Sequence, residues 1–147
     1  MASAVGKGLA AGLVGTAAMT VSSTLEAKLR ERESSTAPAQ AASKVLGVEP
    51  TGEKEKARFS NAVHWGYGTG WGAVRGLLSS LGLPPAVATT AHFGAVWGSE
   101  LVMLPALEVA PPAKEQEPVE LAIDAWHHAV YVAATAAAFA ALQRSAA

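Results

Sequence analysis

Positive charge in this chain is crowded into one place. Seven of its eleven lysines and arginines fall between Lys28 and Arg58, and long stretches nearly empty of charge surround that block. The first, Gly8–Leu25 ("GLAAGLVGTAAMTVSSTL"), has 18 residues and no charge, just long enough to cross a bilayer as a helix. A second runs from about Asn61 to Gly82, a third from Pro85 to about Leu107, and a fourth from about Val119 to Leu142. At about 1.5 Å per residue, helices of these lengths match a hydrocarbon core of ~30 Å.

Composition points the same way. Half of the residues are hydrophobic and 16% are charged, but 33 are alanine, so large aliphatic side chains are scarce. A water-soluble core built from so few of them would bury little area. In lipid, the close approach of small residues matters more. The length of 147 residues suits one domain. A net charge of −1 gives no field to draw nucleic acid. With no cysteine, disulfides, thiolate metal sites and cysteine nucleophiles are excluded.

The expected fold is all-α, a four-transmembrane-helix bundle forming a single integral membrane domain over residues 1–147. Its spans are about 8–25, 61–82, 85–107 and 119–142, with a charged cytoplasmic connection at 26–60. Glu26 and Arg30, spaced i,i+4, carry the first helix past the membrane surface. Ser35 or Thr36 caps a short interfacial helix between spans one and two, with Pro38 in its first turn and its stop at Gly47. Glu49–Arg58 reads as a solvated charged connection. The "GLPP" turn at Gly82–Pro85 makes the second and third spans a hairpin. Lysine and arginine, eight on one side against two on the other, place the 26–60 connection in the cytoplasm and both termini outside. A signal peptide cleaved near Thr16–Ala18 is the rival reading of the first segment.

The stretch His64–Gly76, "HWGYGTGWGAVRG", carries two periods at once. Glycine alternates with Trp65, Tyr67, Thr69 and Trp71, as in a strand. The same glycines also recur at four residues, as they do where helices pack closely. No other segment alternates, and a lone strand in lipid would leave its backbone unpaired. The stretch is therefore expected to be a helix whose glycine face meets another helix, with Gly66, Gly68, Gly70, Gly72 and Gly76 as packing positions, and Gly8 and Gly12 as packing positions of the first span.

Polar residues inside these segments can be placed by depth across the two short turns. His64, Tyr67, Glu100, Asp124, His127 and His128 fall in one polar intramembrane layer. Arg75 and His92 fall further across as a counter-charge pair. A charge at membrane depth costs about 2.5–3.5 kcal/mol on insertion scales, so such groups face one another or a water-filled cavity. Imidazole titrates near neutral pH and, with carboxylates, passes protons. His64, Glu100, Asp124 and His128 are also candidate metal ligands, although no strict ligand motif is present and no metal or other cofactor is assigned. Three readings stand: a structural polar layer, a path for protons or ions, and a metal site. Trp71 and Trp97 read as packing or belt residues. No Ser/His/Asp set has motif support, so the chain is not expected to be an enzyme.

Taken together, "GLAAGLVGTAAMT", "NAVHWGYGTGWGAVRGLL", "HFGAVWGSELVMLPALEVAPP" and "ELAIDAWHHAVY" resemble a group of small bacterial four-span proteins and, more distantly, the YagU-like inner-membrane proteins. The resemblance implies an integral, multi-pass protein of the bacterial inner membrane. It supplies no active residues. The function expected is a small transporter, channel or proton-responsive membrane protein working through the His/carboxylate layer. The alternatives are a non-transporting scaffold that binds a helix of an identical chain or of another membrane protein, and a soluble or exported helical bundle. The bilayer is the one partner common to the first two readings.

Overall fold

The computed structural model describes residues 1–33 and 35–145. Those residues are all-helical, with no strand. The helices are α1 (Ala2–Leu29), α2 (Ala37–Leu46), α3 (Glu53–Ser80), α4 (Pro85–Ala106) and α5 (Pro118–Arg144), with a single 3₁₀ turn at Ala113–Glu115.

Two of these helices, α1 and α5, are long and apolar enough to cross a membrane. The expectation of four transmembrane spans is therefore corrected to two among the described residues. The physical reason is that absence of charge is not hydrophobicity. Helix α3 has 28 residues but opens on Glu53, Lys54, Glu55 and Lys56, and its middle is glycine, His64, Tyr67 and Arg75. Helix α4 has 22 residues, among them His92, Ser99 and Glu100, with tryptophan and glycine that add little hydropathy. The orientation argument needed four crossings and falls with them.

Helix α1 is apolar in an unusual sense. Its buried residues are Gly8, Ala11, Gly12, Gly15, Thr16 and Ala27. Its large side chains, Leu13, Val14, Val21 and Leu25, are exposed. Only 28% of the apolar window of α1 and 33% of that of α5 is buried. An amphipathic helix in water turns its large apolar face to the core. Small residues inward and large apolar residues outward is the pattern of helices packed in lipid.

The small face of α1 meets two neighbours, both antiparallel to it. Gly8 lies against Gly72 and Gly76, Gly12 against Gly68 and Thr69, and Thr16 against Gly68. These glycines pack closely, as the four-residue spacing predicted. Gly66 and Gly70, expected in the same seam, face away and would meet nothing within 4 Å if given a Cβ. They lie on the opposite side of α3, because residues two apart on a helix point about 200° apart. On its other flank α1 packs on α5, where Gly15 lies against Tyr131 and Thr135. Tyr131 Oη donates to the Gly68 carbonyl at 2.6 Å and ties α5 to α3.

Helix α4 returns from α3 through a turn in which Gly82 has φ 76°, a left-handed conformation open to glycine. Pro85 at the first helical position then starts α4. Helix α2 begins at Ala37 with Pro38 in its first turn and stops at Gly47, as its sequence predicts. Lys44 donates to the carbonyls of Leu107 and Glu108, fixing the end of α2 to the end of α4. The charged connection is shorter than expected, because residues 53–60 are the first two turns of α3. Glu53 and Glu55 stand in its first turn, where the helix dipole favours negative charge. Pro105 lies in the last turn of α4, and the helix ends at the next residue, Ala106.

Candidate functional site

The polar residues converge on a cleft of about 520 Å³ between α1, α3, α4 and α5. Thr20, His64, Glu100, Glu120, Asp124, His127 and His128 all border it. The depth arithmetic thus gathers the right residues, but they do not form one layer. They divide into three groups, each with its own partner.

The first group is Glu100, Asp124 and His128. One ligand-capable atom from each lies within 4.8 Å of the others. Asp124 and His128 are one turn apart on α5, so both face α4, where Glu100 projects between them. Glu100 Oε2 stands 2.7 Å from His128 Nε2. The other ring nitrogen, Nδ1, is 2.9 Å from the Asp124 backbone carbonyl. A carbonyl only accepts, so Nδ1 carries a hydrogen. Asp124 Oδ1 lies 3.5 Å from the same nitrogen. Trp97 Nε1 donates to Asp124 Oδ2 at 2.8 Å and fixes that carboxylate. The histidine side chain is 7% exposed, whereas Glu100 and Asp124 are 26% and 35% exposed and reach the cleft.

His127, the neighbour of His128, points about 100° away toward α1. Ser22 Oγ is 2.9 Å from its Nδ1, and Glu26 Oε2 is 3.6 Å from its Nε2. His64 turns to α1 at a third place. Thr20 Oγ1 gives its hydrogen to the Thr16 carbonyl at 2.7 Å, so at 2.7 Å from His64 Nε2 it accepts, and the imidazole donates. Tyr67 is largely exposed, with its ring edge-on to Trp71.

Around the cleft mouth lies a charged rim. Arg30 bridges Glu26 on α1 and Glu120 on α5, and Arg32 also pairs with Glu26. The carboxylates of Glu120 and Glu26 hold the Arg30 guanidinium above its already high pKa.

No known protein family, curated protein or solved structure matches this chain. What the site can do therefore rests on its own geometry.

Arg75 and His92 stand apart from the cleft, as predicted, but not as a counter-charge to it. Arg75 is 4% exposed, makes no ion pair among the described residues, and lies with its guanidinium carbon 4.8 Å from the Phe139 ring centre. Its Nε and Nη1 have no hydrogen-bond partner. His92 is fully buried and donates from Nε2 to the Trp71 carbonyl at 3.0 Å. Glu100 and Asp124 are paired with His128 alone among the described residues, which leaves two carboxylates facing one imidazole.

Sequence reasoning missed Thr20, Ser22, Glu26 and Trp97. The hydroxyls sit in a segment read as apolar, and the tryptophan was read as a belt residue. A signal was available for one of them, since Thr16 and Thr20 are one turn apart on α1 and place polar atoms toward one neighbour.

Proposed function

We propose that this chain is a proton-responsive membrane protein, in which α1 and α5 cross a bacterial inner membrane and the Glu100–His128–Asp124 cluster takes up and releases protons. The reading is carried by one contact, His128 Nε2 to Glu100 Oε2 at 2.7 Å. Because Nδ1 already holds a hydrogen, a neutral ring would turn a bare lone pair toward a carboxylate oxygen. A proton must lie between them, either on the imidazole or on the carboxyl. The group that holds it borders a cleft and draws on imidazole chemistry near neutral pH. The outward-facing leucines and valines of α1 support placement in lipid. Purified chain reconstituted in liposomes with an internal pH dye tests the reading. A proton flux is expected across an imposed pH gradient, and Glu100→Gln reduces it at least tenfold. Equal flux in the two proteins, or none in either, refutes it.

A second reading, a helix-binding partner or homo-oligomer, is favoured by the open face of α3. Gly66 and Gly70 there border a shallow apolar trough with Phe59, Val63 and Val74. The glycines of the α1–α3 seam are already used within the chain, so Gly70→Leu, and not Gly72→Leu, is the substitution that tests association.

A further inference from the structure

Two further sets of groups lie outside the proton reading. Arg75 and His92 leave buried nitrogens without partners, but neither residue lines the cleft. The α3 trough is an apolar face with nothing seated on it. The cluster at Glu100 has both donors and room.

We propose that Glu100, Asp124 and His128 bind one divalent first-row transition-metal ion. The proposal rests on the same cluster as the proton reading and adds a second occupant for it. His128 is oriented as metal-bound histidines are. One ring nitrogen is committed as a donor to a backbone carbonyl, which fixes the tautomer and aims the other lone pair at the site. Trp97 holds one Asp124 carboxylate oxygen and leaves the other free, 3.5 Å from His128 Nδ1, so that oxygen must rotate toward Nε2 to join an ion there. The three residues come from two helices packed side by side, so rigid elements set their spacing. Their ligand atoms lie within 4.8 Å of each other. Metal–ligand bonds of about 2.0–2.2 Å to nitrogen and carboxylate oxygen call for a closer set, so the two carboxylate side chains would rotate to close on the ion.

Charge favours the same occupant. Two carboxylates face one imidazole, with no lysine or arginine paired to either of them among the described residues. A single proton leaves the cluster with a net charge of −1 wherever it sits, whereas a dication with a neutral imidazole gives balance. One imidazole with two carboxylates suits zinc, manganese or ferrous iron over soft cuprous copper. The cleft side supplies water for the remaining coordination positions and a route of entry. A second histidine lines the same cleft, and its Nε2 is buried without a hydrogen-bond partner. His127 reaches toward Glu26, so it stands beside the entry path and not in the ligand set.

The test uses the full chain in detergent, stripped with chelator, loaded with Zn²⁺ and desalted before metal analysis. One Zn²⁺ per chain is expected to be retained. Glu100→Gln, Asp124→Asn and His128→Ala each weaken binding at least tenfold in a calorimetric titration, whereas Glu120→Gln, elsewhere on the cleft, leaves it unchanged. Co²⁺ loaded in place of Zn²⁺ gives visible ligand-field bands in the unaltered chain, a readout that survives if a variant fails to fold. No stoichiometric Zn²⁺ and no Co²⁺ bands in the unaltered chain, or binding untouched by the three substitutions, overturns the proposal. Proton flux is read separately in liposomes: retained metal without flux removes only the proton reading, and flux without retained metal removes only this one.

Discussion

Gly8 and Gly72 face each other so closely that a methyl group on either would strike the carbonyl oxygen of the other. The obstruction is backbone on both sides, so neither can swing aside as a side chain would. Gly72→Ala is therefore expected to destabilise the α1–α3 seam by about 1–3 kcal/mol, the usual cost of overpacking. Gly66→Ala, on the open face of the same helix, is expected to change stability by less than about 0.5 kcal/mol. Denaturant titration of the two variants in the same detergent checks the contrast.

Thr20 is the acceptor for His64, and its own hydrogen is committed to the Thr16 carbonyl. This fixes the neutral ring in the Nε2–H form. Nitrogen-15 shifts of His64 are expected to report that tautomer. Thr20→Val removes the acceptor at nearly constant shape and costs about 1 kcal/mol, typical of one lost hydrogen bond. An Nδ1–H signal in the unaltered chain contradicts the assignment.

Arg75 is buried without an ion pair, resting only on the Phe139 ring. Replacing even a buried ion pair by well-packed apolar residues is often neutral or stabilising, by about 1–4 kcal/mol, and Arg75 bears the desolvation cost without a partner. Arg75→Met is expected to raise the unfolding midpoint in detergent. Phe139→Ala removes a fully buried ring and is expected to cost about 3–5 kcal/mol.

Arg30 closes the cleft rim by joining Glu26 on α1 to Glu120 on α5. Arg30 and Glu120 are exposed, and ion pairs at the surface contribute little to stability. Glu120→Gln is expected to leave the unfolding midpoint unchanged and to remove most of its dependence on added salt. A clear fall in the midpoint, measured by denaturant titration, contradicts this picture of the rim.

Much of the architecture was legible because helical period and glycine spacing are local properties. Four-residue spacing marks Gly8, Gly12, Gly68, Gly72 and Gly76 as close-packing positions, but it marks Gly66 and Gly70 equally and does not say which helix each glycine meets. Glu100, Asp124 and His128 were brought together by counting residues across two turns. What the count could not give is azimuth. His127 and His128 share a depth but differ by about 100° around the helix, and only packing decides that one faces Glu100 and the other Glu26. Spans were overcounted for a related reason. Segments such as His64–Gly76 carry little charge, Arg75 alone here, because they are rich in glycine and aromatic residues, and these make tight helix contacts without making a helix oily.

Helix α1 touches α3 through Thr20 and α5 through Ser22, and each of these hydroxyls holds a histidine. The two sites are thus geared to one shaft. If α1 slid or rotated by a fraction of a turn, His64 and His127 would lose their partners in the same stroke, although 63 positions of chain separate them.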